Sequence, residues 1–183
     1  MLVLTPHPTT RSTPVERIEV EVGRPFEGTL KLSYTVSGDV AAIRLPPECK
    51  PGRADELWRH TCFEAFVRNG DAEGYVELNL TTSMQWAAYR FSGYRADMTP
   101  ANIEPPWVME GLLAPELELR VEIDLGRMAR PDLPADDWRL GLAVVIEDID
   151  GGLSYWALAH PPGKPDFHHP DSFALTLPPP EPA

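Results

Sequence analysis

Residues 57–91 read LWRHTCFEAFVRNGDAEGYVELNLTTSMQWAAYRF, and their alternation decides the fold. Turn residues at Asn69-Gly70 and Gly74 divide the stretch into short runs rich in Phe, Val, Leu, Tyr and Trp, the composition of strands. Side chains along a strand point to alternate faces. In the first run Phe63, Ala65 and Val67 form an apolar set opposed by Trp58, His60, Cys62 and Glu64. In the second, Val76, Leu78 and Leu80 are opposed by Tyr75, Glu77 and Asn79. A hairpin register that puts both apolar sets into one core places His60, Glu64, Glu77 and Asn79 together on the far face, because a slip of one residue would flip a whole strand. Arg90, between Tyr89 and Phe91, is expected to join them from the third run.

That far face has two readings. Antiparallel sheets commonly leave one face solvated, and a polar set there needs no function. A tryptophan beside carboxylates, an amide and a guanidinium is also what a polyhydroxylated ligand requires, since it offers donors and acceptors next to a flat aromatic platform.

Working outward, VERIEVEV alternates with Ile18, Val20 and Val22 inward and Val15 off phase, and TLKLSYTVSG follows as a second strand. LELRVEIDL directs Leu117, Leu119, Val121, Ile123 and Leu125 inward. Between Leu140 and Ile146 both faces are apolar or small, as in a central strand covered on both sides, and Gly141 and Ala143 leave room above it. A last strand runs from Phe173 to Leu177. Residues 1–14 are expected to be a loose arm, residues 92–111 a proline-rich loop with at most a short strand, and GRMARPDLPADD a loop or one helical turn. With 21 prolines and 13 glycines spread along the 183 residues, the pattern predicts an all-β chain: an antiparallel two-sheet β-sandwich forming a single domain over residues 15–178.

Composition excludes several functions. Sixteen Lys and Arg against 28 Asp and Glu give a formal net charge of −12, so a nucleic-acid partner would be repelled. No run is apolar for long enough to span a membrane, and the N-terminus lacks the basic and apolar regions of a signal peptide, which makes a cytoplasmic protein the expectation. Cys49 and Cys62 have neither zinc spacing nor a disulfide framework. Gly163-Lys164 lacks the remainder of a phosphate loop, no G-x-S-x-G elbow occurs, and D-I-D-G at 148–151 does not meet the twelve-residue calcium pattern. His160, Asp166, His168, His169 and Asp171 crowd the last loop, where alternation with proline reads as a rigid turn system rather than a metal site. No cofactor or metal is expected, and nothing in the sequence specifies an oligomeric state.

The segments DELWRHTCFEAFV, YVELNL, LGLAVVIEDIDGG and PDFHHPDSFALTL, in that order, resemble the family 9 carbohydrate-binding modules and the wider DOMON-like group of ligand-binding β-sandwiches. The resemblance covers Leu57 to Leu177. It implies an aromatic clamp with Trp58 on its first position and Phe167 on its second, where a Trp is usual, and hydroxyl-binding roles for Glu64, Asn79 and Asp148. Thr61 replaces the Asp of the family's first motif, Glu77 stands where a basic residue can occur, and His168-His169 alter the final turn. The function expected is non-catalytic binding of a small sugar or polyol between Trp58 and Phe167. His60, Glu77, Arg90, Lys164 and His168 complete the ligand-binding set, with Arg90 or Lys164 neutralising the carboxylates. Two alternatives remain: a small glycan-processing enzyme using Glu64 and Glu77, whose carboxyls could approach if they face each other across adjacent strands, and a haem site pairing His60 with Met84, Met98 or His168.

Overall fold

The computed structural model describes residues 1–10, 12–113, 116–126 and 137–181. Within them thirteen strands form one hydrogen-bonded system. In chain order these are β1 (Leu2–Pro6), β2 (Val15–Gly23), β3 (Thr29–Gly38), β4 (Gly52–Arg53), β5 (Cys62–Asn69), β6 (Tyr75–Leu80), β7 (Gln85–Phe91), β8 (Thr99–Pro100), β9 (Trp107–Leu113), β10 (Glu116–Asp124), β11 (Trp138–Glu147), β12 (Leu153–Ala157) and β13 (Leu175–Leu177). The pairing order is β4-β7-β6-β5-β11-β12-β1-β2-β3-β10-β9, with β13 on β11 and β8 on β7. All the long neighbours are antiparallel; only the two-residue β4 runs parallel to β7.

The fold is therefore all-β, as expected, and its strands join as one continuous sheet curled on itself. The cause is β1. Leu2, Val3 and Leu4 pair with Val20, Glu19 and Ile18 of β2, while Thr5 and Pro6 pair with Ala157 and Trp156 of β12. The opening residues are thus no loose arm. Leu4 is buried, yet a run this short, with one inward residue and a terminal proline, shows too little alternation to be read as a strand.

The core fills the inside of the curl. Phe63, Ala65, Val67, Leu78 and Leu80 meet Leu117, Leu119, Val121 and Ile123 in one cluster, with Val76 half-buried at its rim. Tyr34 of β3 packs edge to face on Phe63 of β5 at 5.1 Å, and its hydroxyl donates to the Glu64 carbonyl across the core. Val15 falls out of phase because the register jumps between Val15 and Arg17, a bulge that returns Val15 to the inside. The stretch before Trp107 is loop apart from the two-residue β8 on β7, but residues 107–113 form the seven-residue edge strand β9, hairpinned to β10. Its exposed Trp107 and Met109 disguise it. The segment 126–137, expected to be a loop or helical turn, lies almost wholly outside the described residues.

A second cluster covers the other face of β5, β6, β7, β11 and β12. It joins Phe66, Tyr75, Ala87, Tyr89, Phe91, Ala143 and Val145 to Phe167 and Phe173 of the last loop, with Leu57, Trp58 and Tyr155 packed against it. The far face is therefore not solvated. Gly141 lets this happen: a Cβ there would stand 3.0 Å from the Ser172 carbonyl oxygen, so the last loop fills the room above the strand.

Candidate functional site

Between the last loop and the far face lies a cavity of about 360 Å³, lined by Trp58, Glu64, Glu77, Phe91, Arg95, Met98, Val145, Tyr155, Pro165, Phe167 and His168. Pairing places its floor. Glu64 is opposite Asn79 and Phe66 is opposite Glu77, so the two glutamates are diagonal neighbours on one face rather than a facing pair. Both carboxyls are buried.

Their surroundings supply few hydrogen bonds. Asn79 Nδ2 donates to Glu77 Oε1 at 2.8 Å, and Cys62 Sγ lies 3.6 Å from the Asn79 carbonyl oxygen. Asn79 is thus a fully buried positioning group beneath the cavity. The Glu64 carboxyl makes no hydrogen bond among the described residues. Burial, then the charge of Glu77, pushes its pKa well above the ordinary carboxylate range, and burial likewise raises Glu77.

The wall is set by a hydrogen-bonded chain from the last loop. The Arg95 backbone N–H donates to the Tyr75 hydroxyl at 3.2 Å, and that hydroxyl lies 2.7 Å from His168 Nδ1. The arrangement that satisfies both has Tyr75 donating to Nδ1, which leaves the His168 proton on Nε2, 3.9 Å from Glu77 Oε2. Packed edge-on against Phe66 and Phe91 at 5.0 and 5.1 Å, the ring is desolvated, and its pKa falls to about 4. His168 is neutral at pH 7. Asp166 accepts from Arg95 Nη2 at 2.8 Å, from the Tyr94 hydroxyl and from the His168 backbone N–H. These bonds tie the loop to the turn after β7. Arg95 occupies that turn at φ +53°, a left-handed conformation that costs a non-glycine residue energy.

Trp58 and Phe167 both line this cavity. Trp58 sits in a single 3-10 turn, Leu57–Arg59, rather than on β5, and is half-buried edge-on against Tyr89 at 6.0 Å. Phe167 is almost fully buried beside Tyr155.

Four expected residues lie elsewhere. Arg90 pairs with Val76 and so belongs to the face opposite Glu77, exposed beside a separate cavity lined by Val76 and Trp138. Tyr89 and Phe91 take the site face instead, and Arg95 is the cation there. His60 is exposed and holds Glu147 Oε2 at 2.6 Å; Glu147 also pairs with Arg44 at 3.1 Å, around a different cavity. Its intended haem partners Met98 and His168 line the site cavity without it. Asp148 caps its own turn, accepting the N–H groups of Asp150 and Gly152. Lys164 is exposed and does not line the cavity. Thr61, where the resembled motif has Asp, donates to the Arg44 carbonyl and accepts the Glu147 N–H. It is a buried brace rather than a ligand group. Arg95 escaped sequence reading because it lies in a turn, which carries no periodicity, and Tyr155 of β12 carries no polar signal; the sequence puts Tyr75 on the far face and Asp166 in the last loop without a role, and the paired aromatics Tyr89 and Phe91 were the available signal for the face. Among the described residues no three His, Cys, Asp or Glu side chains gather as a metal set.

No protein-family model and no curated protein matches the chain. Solved structures do match. A proposed carbohydrate-binding protein of Bacteroides uniformis superposes with a TM-score of 0.63 at 16% identity, over 88% of this chain and 78% of its own. A family 9 carbohydrate-binding module of Caldicellulosiruptor kristjanssonii in complex with glucose gives a TM-score of 0.49 at 11% identity, over 84% of this chain and 72% of its own. The same module with cellotriose gives 0.48 at 11%, over 84% and 70%. The fold is thus shared with the Bacteroides protein.

Proposed function

We propose that the chain is a non-catalytic module that binds a small carbohydrate or polyol in the cavity between Trp58 and Phe167, on a β-sandwich of the family 9 type. The carrying observation is the lining itself. Aromatic side chains from four separate segments, Trp58, Phe91, Tyr155 and Phe167, surround two buried carboxyls that keep hydrogen-bonding capacity to spare. Such rings offer platforms for the C–H faces of a sugar, while Glu64 and Glu77 fix its hydroxyls. A cavity of this volume suits one small ligand. The shared fold with a proposed carbohydrate-binding protein supports the same reading.

The enzymatic alternative has weaker support, because Glu64 and Glu77 are diagonal and Asn79 engages Glu77. A screen of aryl glycosides across pH, with Glu64→Gln as control, tests it together with a calorimetric sugar panel. Binding without turnover is expected. Turnover abolished by Glu64→Gln would replace the binding reading with an enzyme.

A further inference from the structure

The two buried carboxyls carry the reading further than a neutral sugar. Glu64 is 3% exposed, faces the cavity and makes no hydrogen bond among the described residues. Among the described residues the Glu77 carboxyl has only the bond from Asn79, since His168 Nε2 stands beyond hydrogen-bond distance of its second oxygen. A buried carboxyl without partners is costly and is tolerated where something else completes it.

The charges nearby do not complete it. Arg95 lines the same cavity and its charge favours the ionised form of both carboxyls, but its ion pair is with Asp166 at 2.8 Å and neither glutamate is bonded to it. His168 is neutral and hydrogen-bonded to Tyr75. From beneath, Tyr34 approaches the Glu64 backbone, and Cys62 on the same strand is a buried thiol. Besides Arg95 and His168, the cavity that the carboxyls face is lined by aromatic rings, Trp58, Phe91, Tyr155 and Phe167, and by apolar side chains such as Met98 and Val145. Carboxyls under an aromatic enclosure are the means by which proteins hold ammonium groups, because the ring faces attract a cation and the carboxylates neutralise it. The chain's net charge of −12 favours approach of such a ligand.

We infer that the cavity selects an amine-bearing sugar or polyol, with the ammonium group seated at Glu64 and Glu77 and the ring against the aromatic walls. This rests on the carbohydrate-binding reading above. A neutral sugar could use the same walls, but it would bring no charge to the two carboxyls. An entering ammonium favours the carboxylate form of both side chains, and any proton Glu64 holds in the empty cavity leaves to solvent. The bound amine keeps its own proton, so charge and protons balance.

Titration calorimetry with glucosamine and with glucose, at about pH 7 in two buffers of different ionisation enthalpy, tests this on the intact protein. Glucosamine is expected to bind roughly tenfold tighter or more, and Glu64→Gln to reduce the preference to about threefold or less. The melting temperature of the Gln variant, expected to equal or exceed the parent's, shows that it folds. If both sugars bind alike, the amine assignment is overturned while carbohydrate binding stands. If glucosamine gives no heat at millimolar concentration the assignment is also overturned, and glucose in the same experiment decides separately whether the underlying reading survives.

Discussion

The Tyr75 hydroxyl lies 2.7 Å from Nδ1 of His168, 93 residues further along the chain, and receives the Arg95 N–H on its other side. One phenol thereby joins β6, the turn after β7 and the last loop, three of the segments that line the cavity. Tyr75→Phe keeps the stacked ring pair with Phe91, whose centroids are 4.8 Å apart, and removes only the hydroxyl. It is expected to cost about 1–3 kcal/mol, because two polar groups lose a partner in a buried setting. Chemical denaturation measures the loss, and faster amide exchange at residues 166–173 would show that it falls on the loop.

Stability should depend on pH in two opposed ways. His168 stays neutral in the folded protein down to about pH 4, whereas an unfolded-chain histidine protonates near 6.5. Between those values the unfolded chain binds more protons, so this contribution is complete above about pH 6.5 and shrinks as pH falls, by roughly 3 kcal/mol in all. The raised pKa values of Glu64 and Glu77 act in reverse: their contribution is present below the ordinary carboxylate pKa and is lost as pH rises through their folded values. Urea midpoints measured across this range should flatten at the acid end in His168→Gln and at the alkaline end in Glu64→Gln. Curves parallel to the parent's in both variants would refute the assignment.

Gly141→Ala probes how the loop is seated. The added methyl would meet the Ser172 carbonyl oxygen at 3.0 Å, and strand and loop must separate by a few tenths of an ångström. The expected cost is about 1–3 kcal/mol, with weaker ligand binding because Phe167 and His168 move with the loop. A variant that melts with the parent and binds equally would show that the loop has slack.

Much of this was legible in the strands and little of it in the turns. Phe63, Ala65 and Val67 against Val76, Leu78 and Leu80 fix the β5–β6 register, and with it the shared face of Glu64, Glu77 and Asn79. The same logic misled at Arg90. In β7 both faces are apolar, Trp86 and Ala88 toward the core and Ala87, Tyr89 and Phe91 toward the site, so the one charge looked like a member of the polar face when it sits opposite Val76 at the strand's end. His60 looked like a strand residue because Trp58, His60, Cys62 and Glu64 alternate on paper; the 3-10 turn at Leu57–Arg59 breaks that alternation before β5 begins. The cover over the far face was hidden for a different reason. Its anchors, Phe167 and Phe173, lie in a proline-rich loop whose course depends on the space above Gly141, which is visible only in three dimensions.

The cavity reading stands or falls on Trp58, a half-buried ring whose removal should cost the fold only about 1–2 kcal/mol, well short of a fully buried Trp. Titration calorimetry of the parent and Trp58→Ala against a panel of neutral and amino monosaccharides and cello-oligosaccharides, with melting curves run in parallel, measures this directly. The account predicts that at least one member binds the parent and that the variant loses this binding while remaining folded. Loss of about 3 kcal/mol or more of stability in the variant, with no sugar in the panel bound by the parent, would contradict it and make Trp58 an ordinary packing residue.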